Sequence, residues 1–321
     1  MARRRRIWIW TAVAVVVALA AAGAVLLQQR ERAYDRSFDS RVPAPAYASR
    51  GPAVLYDEGH LNTHTAAGAY RPFADLLRSD GYTLRVTRQA ITGTELAAVA
   101  VFVIVCARGA NDANDGPAFS GAEVAVIDGW VRGGGSLLLV TDHWPYGTAV
   151  ESLARRFGVE SGLGLVEDPV HHDPELGASH LAFTEENGLL MDHPIRRGRH
   201  AAERVSRVLT FTGQSLAGPA GGAPILTLSP AAVERPPGAP TVEKQGGDVR
   251  VSMEYGEPAP AGGRAQGIAL DIDRGRVVIL ADAGMLRAQV DRHGMRVGMN
   301  VPGYDNRQLA LNIMHWLSRA I

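Results

Sequence analysis

The chain has 321 residues, of which 46% are hydrophobic, so it can bury a sizeable core. Basic and acidic residues number 33 each, and the basic count falls to 29 when the four arginines at 3–6 are set aside. A mildly acidic body without a clustered basic face is not expected to bind nucleic acid. The single cysteine, Cys106, excludes a disulfide within the chain, and its place at the end of an apolar run predicts a buried core residue.

The N-terminus combines a basic flank with an apolar segment. Residues Ile7–Leu27 carry no charge and are long enough to cross a bilayer as a helix, and the four arginines within residues 1–6 place that end in the cytoplasm. The small residues at 20–24 leave a cleaved signal peptide open as the alternative. In both cases residues 51–321 are expected outside the cytoplasmic membrane. Residues 28–50 are polar and then rich in Pro and Ala, which predicts a linker.

Strand-like and helix-like patterns alternate from Ala53 onward. Apolar or alternating runs predict strands at Ala53–Tyr56, Tyr82–Thr87, Val101–Val105 and Ser136–Val140. Helical spacing and capping signals predict helices at Tyr70–Ser79, Thr94–Ala98, Ser120–Val131 and Thr148–Phe157. This alternation predicts a doubly wound, mostly parallel sheet with helices on both faces.

The second half of the chain begins with a break in this alternation. Residues 159–257 are predicted as an irregular insertion with short strands. A β-hairpin is predicted at Gln266–Ile272 and Arg276–Leu280, and a last helix at Asn306–Ala320 with Asp305 as its N-cap. The sequence thus predicts one α/β domain with an insertion, preceded by one N-terminal transmembrane helix.

Five segments of this body form a recognisable set: YDEGHLNTHT, AYRPFADLLRSDGY, WVRGGGSLLLVTDHWP, VVILADAGMLRAQ and GMNVPGYDNRQLALNIMHWL. Together they resemble the class I glutamine amidotransferase-like superfamily, in particular a membrane-attached bacterial branch of unknown function. The resemblance implies a flavodoxin-like fold. The active enzymes carry a Gly-x-Cys-x-Gly nucleophile elbow and a downstream His-x-Glu. No such elbow is present here, and His315 is followed by Trp and Leu, so the resemblance implies that glutaminase chemistry is absent.

A first polar cluster follows the strand at Ala53–Tyr56. It consists of two carboxylates, an amide and two imidazoles, at Asp57, Glu58, His60, Asn62 and His64. Ligands of open α/β sheets bind beyond the carboxyl ends of the strands, so these residues are candidates for ligand binding. Imidazole and carboxylate groups also bind metals, but the spacing fits no standard signature. The alternative is a structural role, in which the carboxylates cap the following segment.

A second cluster, Asp142 and His143, follows the strand at Ser136–Val140. His143 is a candidate general base, and we expect it to face Glu58 or His60 rather than its neighbour Asp142, because adjacent residues seldom pair. His60, Asp142 and His143 are therefore the catalytic candidates. The alternative for Asp142 and His143 is a structural turn into the next helix, with Pro145 in its first turn. If a metal binds, its candidate ligands are Asp57, His60 and His143.

Two further groups of polar residues complete the candidates. Asn300 and Asn306 flank the start of the last helix, where a structural capping role is the favoured interpretation; the alternative is that the helix N-terminus faces the same crevice and helps to hold an anion. The residues His171, His172, Asp173 and His180 lie in the insertion, where a polar loop is the simplest interpretation.

Three hypotheses follow for the function. The first is a membrane-anchored, extracytoplasmic amidotransferase-like domain without glutaminase activity, which binds a small molecule or a membrane-protein partner in envelope or transport machinery. The second is a metal-dependent hydrolase that uses the acid–histidine clusters. The third is a purely structural role. The sequence indicates no particular cofactor.

Overall fold

The computed structural model describes residues 34–321 except 112, 114, 246, 247, 292 and 293. The predicted anchor at Ile7–Leu27 and the first residues of the predicted linker lie outside the described residues. No helix in the described part of the chain is long and apolar enough to cross a membrane.

The first half of the domain alternates between strands and helices, as the sequence predicts. The strands are β1 (Ala53–Asp57), β2 (Thr83–Thr87), β3 (Val101–Val105) and β4 (Ser136–Val140). The helices are α1 (Arg71–Ser79), α2 (Gly93–Ala97), α3 (Gly121–Arg132) and α4 (Tyr146–Arg156). The predicted capping box of α3 is present, because Ser120 and Glu123 each bond the other's backbone N–H.

The second half contains an insertion of short elements and then returns to regular structure. The insertion comprises β5 (Glu160–Ser161), β6 (Leu165–Glu167), β7 (Ala182–Thr184), α5 (Pro194–Arg197), β8 (Arg207–Leu209), β9 (Leu216–Ala217), β10 (Ala223–Thr227), β11 (Val233–Arg235), β12 (Thr241–Gln245), β13 (Asp248–Ser252) and β14 (Ala259–Pro260). The remaining elements are β15 (Ala265–Ile272), β16 (Gly275–Leu280), β17 (Ala288–Val290), β18 (Arg296–Gly298) and α6 (Asn306–Leu317). Short 3₁₀ turns lie at Ala201–Glu203 and Gly284–Leu286.

The main sheet of the described residues has nine strands and is parallel in its centre. Its order is β2-β1-β3-β4-β16-β15-β9-β5, and β10 also pairs with β15. The pairs from β2 to β16 are parallel, and those beyond β16 are antiparallel. The order β2-β1-β3-β4, followed by the next parallel strand, is that of flavodoxin-like folds. The prediction of a mixed α/β fold with a large, mostly parallel sheet is confirmed.

The sheet separates two hydrophobic cores. One face packs against α1 and α6, with Phe73 and Trp316 among its buried residues, and the other packs against α3 and α4 around Ile127 and Leu153. Every residue of β3 and β4 is buried, as expected for strands covered on both faces. Each large apolar side chain buried there contributes about 1.5–3 kcal/mol.

Residues 34–50, which the sequence assigns to a linker, pack along the domain. Asp35 donates its N–H to the Ala288 carbonyl at 2.7 Å, and Ala46 donates to the Asp80 carboxylate at 2.7 Å. Phe38 packs against the core on the side of α1 and α6. This described part is therefore not a free tether, and it is called the strap below. A Pro/Ala-rich composition did not reveal the docking because the contacts are largely made through backbone groups.

Candidate functional site

The carboxyl ends of the parallel strands meet at one edge of the sheet, here called the carboxyl edge. The strand order reverses between β1 and β3, which is the position where doubly wound sheets open a crevice. Chemically active side chains lie at the ends of four of the strands there: Asp57 is the last residue of β1, and Cys106, Asp142 and Asp282 come after β3, β4 and β16.

The first cluster forms a closed network around Asp57, which is fully buried. The Asp57 Oδ1 atom lies 2.8 Å from Nδ1 of His60, and the Asn62 amide donates to Oδ2 of Asp57 at 3.0 Å. The same amide donates to the Val105 carbonyl at 3.1 Å, which ties the loop after β1 to β3. These bonds occupy both carboxylate oxygens, so Asp57 supports the loop.

The second nitrogen of His60 bonds to α3. Its Nε2 lies 2.9 Å from Oε1 of Glu123, and its ring packs against Phe119 at a centroid distance of 4.0 Å. Burial lowers the pKa of His60, but the hydrogen bonds and charges of Asp57 and Glu123 outweigh burial and raise it. With both ring nitrogens bonded, His60 has no free position for a metal or a substrate proton.

Glu58 and His64 diverge from this network. Glu58 accepts from the Ala66 N–H at 3.0 Å and pairs with Arg88 at 2.8 Å, so it caps the loop as the structural alternative predicts. The His64 ring stacks on Tyr70 at a centroid distance of 5.4 Å. Burial, aided by the positive charge of Arg287, lowers the pKa of His64 to about 4, so this imidazole is neutral at pH 7.

The second cluster is an adjacent aspartate–histidine pair. Asp142 Oδ1 lies 2.6 Å from Nδ1 of His143, so the expectation that His143 faces Glu58 or His60 is wrong. The pairing is possible because the chain turns after β4: the same oxygen accepts the His143 N–H at 2.8 Å. The other oxygen of Asp142 accepts from the Ala283 N–H at 3.1 Å. Burial lowers the pKa of His143, but Asp142 outweighs it and raises the pKa.

The Cys106 thiol is buried, as predicted. Its backbone has a φ of 44°, a strained conformation at the end of β3. The thiol is 1% exposed, and burial, together with the nearby carboxylates Asp142 and Asp282, raises its pKa well above the usual range. A nucleophilic cysteine requires the opposite shift, so this thiol is not activated.

Asp282 is a residue of the carboxyl edge that the sequence interpretation missed. It is fully buried, and its carboxylate accepts from the backbone N–H groups of Phe211 and Met285. Burial and the neighbouring Asp142 raise its pKa well above the ordinary aspartate value. The signal was present, because an acid directly follows the apolar run VVILA, just as Asp57 directly follows the apolar run AVLY.

The residues near the last helix have mainly structural partners. Asn306 bonds to both backbone groups of Leu209, and Asn300 bonds to the Asp35 carboxylate at 2.9 Å, which fixes the strap. Asp305 stands at the N-cap position of α6, but its carboxylate accepts from the backbone of Ser206 and not from the helix.

The histidines of the insertion have local partners. His172 lies 2.8 Å from the Asp168 carbonyl, and Asp173 accepts from the Tyr304 hydroxyl at 2.7 Å. His180 packs edge-on against Phe211. The simple interpretation of these residues as a polar loop with internal bonds accounts for these contacts.

The candidate metal ligands do not converge. Within the described residues no group of three or more His, Cys, Asp or Glu side chains is arranged to hold a metal ion. Asp57 and His60 are joined to each other, whereas His143 is joined to Asp142. The arrangement offers one partly exposed acid–histidine pair at the carboxyl edge, beside a buried carboxylate and a buried thiol.

The fold and this edge define a mixed α/β protein with flavodoxin-like strand order. No protein-family model matches the sequence, and a search among curated protein sequences gives no match. Solved structures do resemble it. The mmIFT52 N-terminal domain superimposes with a TM-score of 0.57 at 12% identity, over 83% of this chain and 97% of that one. At such identity the likeness shows the fold alone.

Two weaker structural likenesses have TM-scores below 0.5 and carry no functional argument. A protein described as ThuA-like from Bacteroides uniformis gives 0.40 at 14% identity, over 88% of this chain and 95% of that one. A protein from Thermoplasma acidophilum that is described as part of a GMP synthase gives 0.42 at 10% identity, over 84% and 96% of the two chains. Membership of the amidotransferase-like superfamily therefore stays a prediction.

Proposed function

We propose that this protein is a membrane-anchored, extracytoplasmic module that binds a ligand or a membrane-protein partner at the carboxyl edge, without glutaminase chemistry. The observation that carries the proposal is that neither the cysteine thiol nor the His60 imidazole is available for glutaminase chemistry. The Cys106 thiol is buried with a raised pKa, and both nitrogens of His60 are bonded to carboxylates. A role in envelope or transport machinery agrees with the predicted anchor.

The strap supports an orientation of the module toward the membrane. It runs along α1 from the carboxyl edge to the opposite edge. At the carboxyl edge, the Tyr34 hydroxyl accepts a hydrogen bond from Arg71, the first residue of the helix. At the opposite edge, Tyr47 bonds to the backbone of Asp80, just before β2. Tyr34, the first described residue after the predicted anchor, therefore lies at the carboxyl edge.

The length of the connecting segment limits the separation from the bilayer. Seven residue steps separate Leu27 from Tyr34, and even a fully extended chain covers about 25 Å in that length. An anchor at Ile7–Leu27 would hold the carboxyl edge within this distance of the membrane surface. A partner in the membrane could then reach the crevice.

Fluorescent labels on the two edges test this orientation in the full-length chain reconstituted into vesicles. Leu61→Cys places a label at the carboxyl edge, where Leu61 is 51% exposed, and Arg274→Cys places one in the exposed turn at the opposite edge. We expect a quencher attached to lipid headgroups to act more strongly on the label at position 61. Equal quenching, or stronger quenching at position 274, would contradict the proposed orientation.

The aspartate–histidine pair favours one alternative, a hydrolase in which His143 is the general base. An aspartate that orients a histidine is the usual arrangement of such a base. The test is hydrolysis of a panel of esters and amides by the full-length chain and by His143→Asn. Turnover that disappears in His143→Asn would replace the binding module with an enzyme.

A further inference from the structure

A second polar feature of the carboxyl edge is the side chain of Arg287, which lies in the segment VVILADAGMLRAQ but was not among the candidate site residues. Arg287 directly follows the 3₁₀ turn Gly284–Leu286, and its backbone is held on both sides. Its N–H donates to the Gly284 carbonyl at 3.1 Å, and its own carbonyl accepts from Met299. The guanidinium therefore extends from a fixed point of the fold.

The guanidinium has no counter-ion among the described residues. Its Nε atom is buried and has no hydrogen-bond partner, and none of the described carboxylates forms an ion pair with it. Arg196 and Arg276 also have an Nε without a hydrogen bond, but they pair with Glu185 and Asp271 respectively. A partly buried positive charge without a partner is costly, and a bound anion would remove that cost.

The groups around Arg287 do not supply the missing negative charge. Arg287 is close enough to His64, Tyr70 and Cys106 to affect their pKa values, but none of the three is anionic at pH 7: an imidazole carries no negative charge, and burial raises the pKa of the phenol and of the thiol. The carboxylate of Asp282 is nearby but is engaged by backbone N–H groups and has a raised pKa. The Tyr70 hydroxyl donates a hydrogen bond to the Ala283 carbonyl at 2.7 Å, and this bond fixes the position of the Tyr70 ring.

We propose that Arg287 and His64, backed by Tyr70, bind one anionic group, a phosphate or a carboxylate, at the carboxyl edge. A guanidinium offers two parallel N–H donors to such a group, and a neutral imidazole can donate one more. This inference rests on the proposed binding role of the edge and names its ligand class. Because the strap would hold Arg287 near the bilayer, a lipid phosphate is one source and a soluble anion is the other.

Titration calorimetry on the full-length chain in a neutral detergent tests the site with three probes: inorganic phosphate, glycerol 1-phosphate and acetate. We expect saturable binding in the millimolar range, weakened about 10- to 100-fold by Arg287→Gln, as for a lost hydrogen bond to a charged group. Arg296→Gln is the matched control, because Arg296 lies nearby but pairs with Asp35, and it should bind as the native chain does.

The outcomes separate the ligand sources and the two proposals. Tighter binding of glycerol 1-phosphate than of inorganic phosphate supports a lipid headgroup, and the reverse order supports a soluble anion. Arg287→Lys keeps the positive charge and serves as a second variant in case Arg287→Gln does not fold. Absence of saturable binding for all three probes, or equal binding by Arg287→Gln in its folded state, would overturn the anion site. The vesicle-labelling result does not depend on either outcome.

Discussion

Replacing Glu123 by glutamine tests whether the charge that links α3 to the loop after β1 stabilises the fold. Burial raises the pKa of Glu123, but hydrogen bonds from the Ser120 and Ile91 backbones and from His60 outweigh it and lower the pKa from 4.5 to about 2. The Glu123 side chain is only 12% exposed, so solvent screens these bonds weakly. A difference of this size corresponds to about 3 kcal/mol of stability.

The pH dependence of this contribution follows from the direction of each shift. The lowered pKa of Glu123 gives stability that is complete above about pH 4.5 and is lost as the pH falls toward about 2. The raised pKa of His60 gives stability that is complete below about pH 6.5 and is lost as the pH rises through its folded-state value. The pair therefore stabilises the fold most between these two limits.

The assay is thermal unfolding of the full-length chain in detergent, followed by circular dichroism at several pH values. At pH 5.5 we expect Glu123→Gln to lower the melting temperature by roughly 5–10 °C. Glu186→Gln makes the same charge change at an exposed position and should have little effect. If the two variants melt together at pH 5.5, or if the loss in Glu123→Gln persists undiminished near pH 2, the network does not stabilise the fold as argued.

Three further predictions concern the backbone, the thiol and the acid–histidine pair. Gly298→Ala should lower the free energy of unfolding in urea by about 2–4 kcal/mol, more than Gly294→Ala does. Both glycines have φ near 86°, but only at Gly298 would a Cβ lie 2.1 Å from a carbonyl oxygen, so equal losses would contradict the contact. Cys106 should resist alkylation in the native chain and take up one equivalent of reagent in denaturant, whereas fast native labelling would contradict its burial. Asp142→Asn should lower the pKa of His143 in an NMR titration, and an unchanged pKa would show that another group raises it.

Much of the sheet was predictable because its strands are short, uninterrupted apolar runs. Val101–Val105 and Ser136–Val140 are buried on both faces, so their composition alone indicates central parallel strands. The capping box at Ser120 is equally local, since both of its bonds span three residues. The hairpin of β15 and β16 was predicted from a turn between two apolar runs.

The site was predicted less well, because its contacts join residues that are distant in the chain. Asp57 and His60 were found, but the partner that fills the second nitrogen of His60 is Glu123, 63 residues away. Arg287 was missed, since no local pattern distinguishes an unpaired arginine from an ordinary surface charge. Asp282 was missed although it directly follows the apolar run VVILA.

The sequence by itself therefore determined the alternation of strands and helices, the burial of Cys106 and the position of polar residues at the strand ends. Only the tertiary structure decided which of those polar groups are engaged in internal hydrogen bonds and which remain available to a ligand. It also decided that residues 34–50 dock on the domain. The physical reason is that apolar periodicity is a local property, whereas the pairing of charges depends on the distances that the whole fold creates.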